Sequence, residues 1–434
     1  MLTYRKILLF WLPLAATWLM MSVEGPFLAA IIARLADPKY NLAAYGVAFA
    51  FALIIEAPVI MIMSASTALV TDRDSFIKMR NFTYLLNGIV TTAMLIILIP
   101  PVFYFVSESL IGLEHPVSQL THHALILLLP WPGAIGYRRF YQGILIRSNL
   151  TRRVAYGTLI RLVSMSGTAL LLYLYFHLNG ALVGATALSV AVTMEALVSR
   201  FMARKTVAAI CNTETSTPIE TDPLNYRAIF HFYYPLALTS LLGLGVQPMV
   251  TFFMGHSRMA LESLAVFPVV HSLVFIFRGI GLSFQEVGIA LLGKEIENYK
   301  KLRNFATILG GSLALLLSMI AFTPLSLVWY QQVSGLSETL SQFAILPTCI
   351  LAIMPGLTVL LSFQRAMLVV HKYNTPITIA TGLEVSMIIA ILFLTTRYFD
   401  LIGITAAALA LITGRLLANG YLVKPFISVT RKNK

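Results

Sequence analysis

The chain has 434 residues, 58% hydrophobic and only 11% charged, with a mean hydropathy of +0.83. Soluble domains carry about 25% charged residues, so this composition excludes a soluble enzyme or a nucleic-acid-binding domain and describes a polytopic membrane protein. The formal net charge of +13 follows the loops, as traced below, and is no footprint for nucleic acid.

Apolar runs and turn punctuation predict twelve helical spans near 7–33, 42–70, 82–106, 120–147, 154–177, 180–199, 228–254, 260–292, 302–330, 339–367, 374–396 and 401–423. Each is long enough for a hydrocarbon core of about 30 Å, which takes roughly 20 helical residues. The first run is too long for a signal-peptide core and lacks a small-residue cleavage pattern, so it reads as a retained helix. Residues 211–226 are polar and hold Pro218 and Pro223, the composition of a linker. The expected organisation is a six-helix bundle at 1–208, a cytoplasmic linker at 209–227 and a second six-helix bundle at 228–434. Cys211 falls in that linker and Cys349 inside a span, so neither a disulfide nor a metal framework is expected.

Basic residues sort by loop. Arg5, Lys6, Arg73, Lys78, Arg80, Arg147, Arg152, Arg153, Arg200, Arg204, Lys205 and Arg227 fall on one side. So do Lys294, Lys300, Lys301, Arg303, Lys372, Lys424, Arg431, Lys432 and Lys434, against only Arg34, Lys39, Arg258 and Arg397 opposite. The positive-inside rule then places both termini in the cytoplasm.

The chain also repeats itself. Phe10, Pro13, Ala15, Thr17 and Pro26 recur about 222 positions later as Phe232, Pro235, Ala237, Thr239 and Pro248. With a slip of one, Lys78-Met79-Arg80-Asn81-Phe82 answers Lys301-Leu302-Arg303-Asn304-Phe305, Pro132-Gly133 answers Pro355-Gly356, and Gly180 answers Gly403. Six spans per half is an even number, so the halves run parallel, and such proteins commonly hold their site between halves and rock one against the other.

Ionisable residues within spans cost at least about 2.5–3.5 kcal/mol each at mid-bilayer, so they mark interiors or wet cavities. Glu195, Glu286 and Arg365 are also intramembrane; Glu195 and Arg365 lie near predicted span ends, where they can snorkel. Arg138, Arg139, Arg278, Glu384 and Arg415 lie deep. Glu24 precedes Gly25-Pro26 and Glu56 precedes Ala57-Pro58; a carboxylate beside a proline is placed to alter how freed carbonyls are satisfied when it gains a proton, which makes this pair the candidate ion-coupling residues. The competing reading is that both simply pair with Arg138, Arg139 or Arg161. In the second half Gln247-Pro248 repeats the proline without the carboxylate. Arg138 and Gln142 share a helix face at four-residue spacing, and His271, Arg278 and Gln285 form a stripe at spacing seven. Arg161 and Glu384 occupy matching repeat positions with opposite charge, either paired across the halves or anchored separately. Arg138, Arg139, Gln142, Arg161, Gln247, His271, Arg278, Glu384 and Arg415 are the candidate substrate-binding residues, and their positive balance suits an anion. His122, His123, His231 and His256 read as interfacial, as do Trp11, Tyr233 and Tyr234.

No Walker A, His-Glu-x-x-His or Gly-x-Ser-x-Gly pattern occurs, so neither ATP-driven transport nor intramembrane hydrolysis is expected, and no selectivity-filter repeat supports a channel. A major facilitator transporter fits poorly: Asp72-Arg73 is present, but the glycines of its loop signature are lost.

Phe10-Trp11-Leu12-Pro13-Leu14-Ala15 with Glu24, Ala44-Tyr45-Gly46, and Phe232-Tyr233-Tyr234-Pro235-Leu236-Ala237-Leu238 with Gln247-Pro248-Met249-Val250 resemble the MOP exporter superfamily. Its best-known branch is the MATE multidrug exporters, and the resemblance is greatest to the progressive ankylosis protein family. It covers both halves on short apolar motifs. It implies an all-α protein of twelve transmembrane helices in two parallel six-helix repeats forming a V-shaped MATE-like transporter. It implies export driven by a proton or sodium gradient, of organic cations in the MATE branch or of anions such as citrate, pyrophosphate or nucleotides in the ankylosis-like branch. Glu24 falls near the first-span acidic position of such relatives, whereas Gln247 stands where some carry a seventh-span acid, which speaks against sodium coupling in that half. The expected protein is a transporter rather than an enzyme, without cofactor or metal, in contact with lipid and a small-molecule substrate. It is expected to be monomeric, in the plasma membrane (the inner membrane if bacterial). The alternatives are a multidrug cation antiporter and a non-transporting scaffold whose buried charges only hold the assembly together.

Overall fold

The computed structural model describes residues 2–148, 150–176, 178–212, 224–292, 297–371, 373 and 375–432. A backbone in hydrocarbon must satisfy its polar groups within its own segment, which only helices or closed barrels achieve. Helices accordingly make up nearly all of the described residues.

Eleven helical stretches are long and apolar enough to cross a membrane. They are span one, Tyr4–Ile32; span two, Pro38–Leu69; span three, Arg73–Leu98; span five, Arg152–Tyr175; and span six, Gly180–Asn212. The second half supplies span seven, Tyr226–Gly255; span eight, Ala260–Leu291; span nine, Tyr299–Ala321; span ten, Glu338–Val370; span eleven, Thr375–Arg397; and span twelve, Gly403–Thr430. Span four comes in two pieces, His115–Leu127 and Trp131–Arg147, separated at a proline, and each is too short to count by itself among the eleven. Span three begins and ends well before the run 82–106, while span nine begins close to the start of the run 302–330 and ends well before its end. Span three starts in polar sequence because the Asp72 side chain and Ser75 form a capping box, which an apolar count cannot see. Span six continues to Asn212 and span seven starts at Tyr226, so the ends of the expected linker are helical; residues 213–223 lie outside the described residues.

The sequence repeat is also a backbone repeat. After span three, a short helix at Pro100–Tyr104 runs into a π-helical turn at Phe105–Leu110 and ends on Gly112 at φ 79°. After span nine, Leu325–Leu327 runs into a π turn at Val328–Val333 and ends on Gly335 at φ 75°. Leu113 N–H donates to the Ser107 carbonyl at 2.9 Å and Leu336 N–H to Tyr330 at 2.8 Å. Both closures need a left-handed residue, and glycine takes that conformation at no steric cost.

By compactness the chain divides at Gly46 and Pro248, into one unit of Met1–Gly46 with Met249–Lys434 and another of Val47–Pro248. These units are not the two repeats, because span one groups with the second-half helices. In the first unit small residues allow that approach: a Cβ on Gly25 would lie 3.1 Å from the Ser272 Cβ of span eight. Ile7 of span one joins a core with Phe284, Leu302, Val359, Phe363 and Leu422. Trp11 donates its indole N–H to Ser283 Oγ at 2.8 Å, at the point where span eight breaks between Leu282 and Phe284. It therefore tethers span one to the break in span eight.

In the second unit, span two is interrupted by a 3-10 turn at Ala57–Val59 before it resumes at Ile62. Proline at 58 leaves carbonyls without helical donors, and span seven supplies two: Ser240 Oγ donates to the Ala57 carbonyl at 2.7 Å and the Tyr233 hydroxyl donates to the Pro58 carbonyl. Tyr233 is thus buried rather than interfacial, while Tyr234 is exposed. His122, also expected at an interface, is buried against Phe103 with its Nε2 2.8 Å from the Leu98 carbonyl oxygen.

Candidate functional site

Three polar centres lie within the spans. The first is built on Glu195 of span six, which is 1% exposed. Arg138 of span four donates to Glu195 Oε2, and Gln142, one turn on along the same face, donates to Oε1 at 3.0 Å. Arg161 of span five stands 3.9 Å from Oε2. The expectation that Glu195 snorkels at a span end is overturned: the helix runs on to Asn212, which puts residue 195 in its interior. Arg139, about 100° round the helix from Arg138, donates to the Met63 sulfur at 3.6 Å and makes no other side-chain hydrogen bond among the described residues. Close packing puts it there, since a Cβ on Gly143 would fall 1.8 Å from Ser66 Oγ of span two.

The second centre is Glu56, buried at the break in span two, where the Trp131 indole N–H donates to Oε2. No arginine lies within 4 Å of it among the described residues, and Arg138, Arg139 and Arg161 act on it through longer-range charge rather than contact. Glu24, the other coupling candidate, is buried in span one, which runs through Pro26 as one helix.

The third centre belongs to the second half. Arg415 of span twelve donates from Nε to Glu384 Oε1 of span eleven at 2.8 Å, with Thr358 Oγ1 of span ten 3.4 Å from its NH1. Asn419, one turn further, donates to the Leu357 carbonyl at 3.1 Å, and Gln364 donates to the Asn419 carbonyl at 3.2 Å. Arg161 and Glu384 each have an ion-pair partner within their own unit. Arg365 donates to Thr381 Oγ1 at 3.0 Å, so it too is held inside.

His271 and Arg278 of span eight line a narrow, mainly apolar crevice against Leu351 and Met354 of span ten and Ala408 and Leu411 of span twelve. Gln285 lies past the break in span eight and is not part of its wall, and Gln247 in span seven joins none of these centres. Among the described residues no cluster of metal-ligating side chains occurs. Trp131, Thr358 and Asn419 were not anticipated, and Glu195 was expected only as an intramembrane acid near a span end.

No family model and no curated protein matches the chain. Solved structures do match it. A multidrug resistance MATE family transporter of the MOP superfamily, in an inward-facing conformation, superposes with TM-score 0.71 at 15% identity over 96% of each chain. A lipid II flippase in an inward closed conformation gives 0.67 at 13% identity over 97% of this chain and 90% of the other. A MOP superfamily transporter from Pyrococcus furiosus, whose binding pocket is described as of reverse polarity and suggestive of a different function, gives 0.66 at 14% over 98% and 95%. The chain has the fold of the MOP-superfamily transporters, and MATE structures are among those it superposes on over nearly its whole length.

Proposed function

We propose that the protein is a gradient-driven secondary transporter that exports a small, polar, anionic organic metabolite by alternating access. The observation that carries this reading is that Arg139 and Arg278, both inside spans, have no carboxylate within 4 Å among the described residues. A guanidinium kept in a span costs at least about 2.5–3.5 kcal/mol, and a ligand that brings the negative charge accounts for its retention. The shared fold supports transport, and the buried carboxylates Glu24 and Glu56 are the groups to exchange a driving proton or to hold a sodium ion. Arg138, Gln142, Arg161, Glu384 and Arg415 we assign to positioning, through the partners above; Gln247 remains a substrate-facing candidate from its sequence position alone. In this reading the repeats 1–208 and 228–434 are the halves of the cycle, joined by 209–227. The protein works as a monomer in the plasma membrane with both termini cytoplasmic. Citrate and pyrophosphate, implied by the ankylosis-like resemblance, are the first substrates to try.

A MATE-type organic cation antiporter is the second reading, favoured by the burial of Glu24 and Glu56 in this fold. A scaffold is the third, favoured by the neutralised pairs at Glu195 and Glu384. Reconstituted vesicles decide among them. Counterflow of citrate or pyrophosphate that is lost in Glu24→Gln without loss of folding supports the proposal. Uptake of a lipophilic cation alone would overturn it in favour of the second reading, and a folded wild type that moves neither leaves the scaffold.

A further inference from the structure

The wall of the span-eight crevice restricts what it can hold. Its polar groups are His271 and Arg278, and the remainder is Phe267, Val270, Val274, Pro347 and the aliphatic side chains of spans ten and twelve. The two polar residues are seven apart, about 10 Å along the helix axis. A long helical side chain leans toward the helix N-terminus, so the Arg278 guanidinium reaches back toward the level of His271. The His271 ring is set between Phe267 and Phe275, with centroids 5.6 and 6.1 Å away, and accepts or donates no hydrogen bond among the described residues. Arg278 Nε is buried and likewise has no partner among the described residues. A buried donor without an acceptor loses hydration and recovers nothing. Arg278 is such a group, and His271, half-buried and without a hydrogen bond among the described residues, lines the same otherwise oily slot.

We infer that this crevice is a binding site for an amphiphilic monoanion: a single carboxylate carried on an aromatic or aliphatic body. The carboxylate takes the Arg278 fork, and His271 donates to it from the side, while the body lies between Val274, Leu351, Met354 and Leu411. A second carboxylate on the same ligand would be pushed against apolar walls, since His271 and Arg278 are the polar groups of the lining. The inference rests on the anion reading proposed above and narrows it, because citrate and pyrophosphate are polyanions. The free space between the walls is about 10 Å³, room for about one water and far below the roughly 300–1,000 Å³ of ligand pockets, so the walls must part to admit a ligand. At its present width it admits little more than water. Met354, with its unbranched and easily rearranged side chain, is the wall that gives way.

The test is direct binding to the purified full chain in detergent, by titration calorimetry with 3-phenylpropionate, 3-phenylpropanol, 3-phenylpropylamine and citrate. The expected result is saturable binding of 3-phenylpropionate alone, weakened at least about tenfold by Arg278→Gln, the loss expected for a charge-assisted hydrogen bond. Arg278→Lys should keep part of it. Ala408→Leu, which narrows the slot without touching the charge, should also abolish binding and guards against misreading a folding defect in the arginine variants. Equal binding of the amine or of citrate, or unchanged affinity in Arg278→Gln and Ala408→Leu, would overturn the inference. Binding without flux in vesicles would remove the transport proposal and leave the site. Flux of citrate without binding of 3-phenylpropionate would remove the site and leave transport.

Discussion

The two halves of the chain build the same frame and then charge it in opposite senses. In the first half the acid sits on the sixth span and the bases on the fourth and fifth, with Glu195 taking Arg138, Gln142 and Arg161. In the second half the base sits on the twelfth span and the acid on the eleventh, with Arg415 held by Glu384 and Thr358. The breaks behave differently. Trp11 and Tyr233 occupy equivalent repeat positions, and each ties the interruption of a neighbouring span, Trp11 at Ser283 and Tyr233 at Pro58. A helix interruption in a membrane must be satisfied wherever it occurs, so its tether stays in place. An ion pair needs only opposite signs, so its polarity is free to reverse.

The largest effect expected tests whether the two centres are equally costly to break. Glu195→Ala strands Arg138 without its carboxylate in a fully buried setting, and should cost about 3–5 kcal/mol in thermal unfolding of the detergent-solubilised protein. Glu384→Ala leaves Arg415, itself buried, still beside Thr358, so a smaller loss of about 1.5–3 kcal/mol is expected. Equal losses would show that the Thr358 contact does not distinguish the centres. The reversed double variant Glu384→Arg with Arg415→Glu sharpens the point: it should recover at least about 0.5 kcal/mol over the sum of the two single changes. No recovery would mean that orientation matters as much as sign.

The tethers should matter less and equally. Trp11→Phe and Tyr233→Phe each remove one donor from a span break, worth about 0.5–1.5 kcal/mol apiece. Local hydrogen exchange around residues 57–61 and 280–284 would register the change, and a response in only one of them would break the equivalence.

The smallest effect lies outside the membrane. Asp72 caps span three and is held below the ordinary carboxylate range chiefly by the Ser75 backbone N–H, whereas Asn298 before span nine makes no capping side-chain bond. A carboxyl whose folded value is depressed contributes stability that is present above its unfolded value, about 3.9, and lost as pH falls through the folded one. Exchange at the start of span three should therefore accelerate below about pH 4 in the wild type and lose that dependence in Asp72→Asn, while span nine shows none of it. A matching acid response in span nine would sink the distinction.

Composition, span number and the internal repeat were all legible before any coordinates, because hydrocarbon admits few backbone solutions and leaves them written in length and hydropathy. So was the shared face of Arg138 and Gln142, which follows from helical pitch alone. Hydropathy misjudged depth. It ended span six near residue 199 and so left Glu195 at an edge, when the helix carries on to Asn212. It saw Tyr233 as a belt aromatic, because a polar edge on an apolar ring suits an interface and a buried break equally well.

What the linear order settled by itself is that this chain spans a membrane many times, does so twice over, and keeps charges where lipid makes them expensive. Which charge answers which was decided only by packing. Arg138, Arg161 and Glu195 come from three spans, as do Thr358, Glu384 and Arg415, and ion pairing acts over a few ångströms that sequence separation does not encode. The same holds for the unanswered groups, His271 and Arg278: their spacing put them on one stripe, but the apolar walls of spans ten and twelve are what leave them facing a slot with nothing to bind.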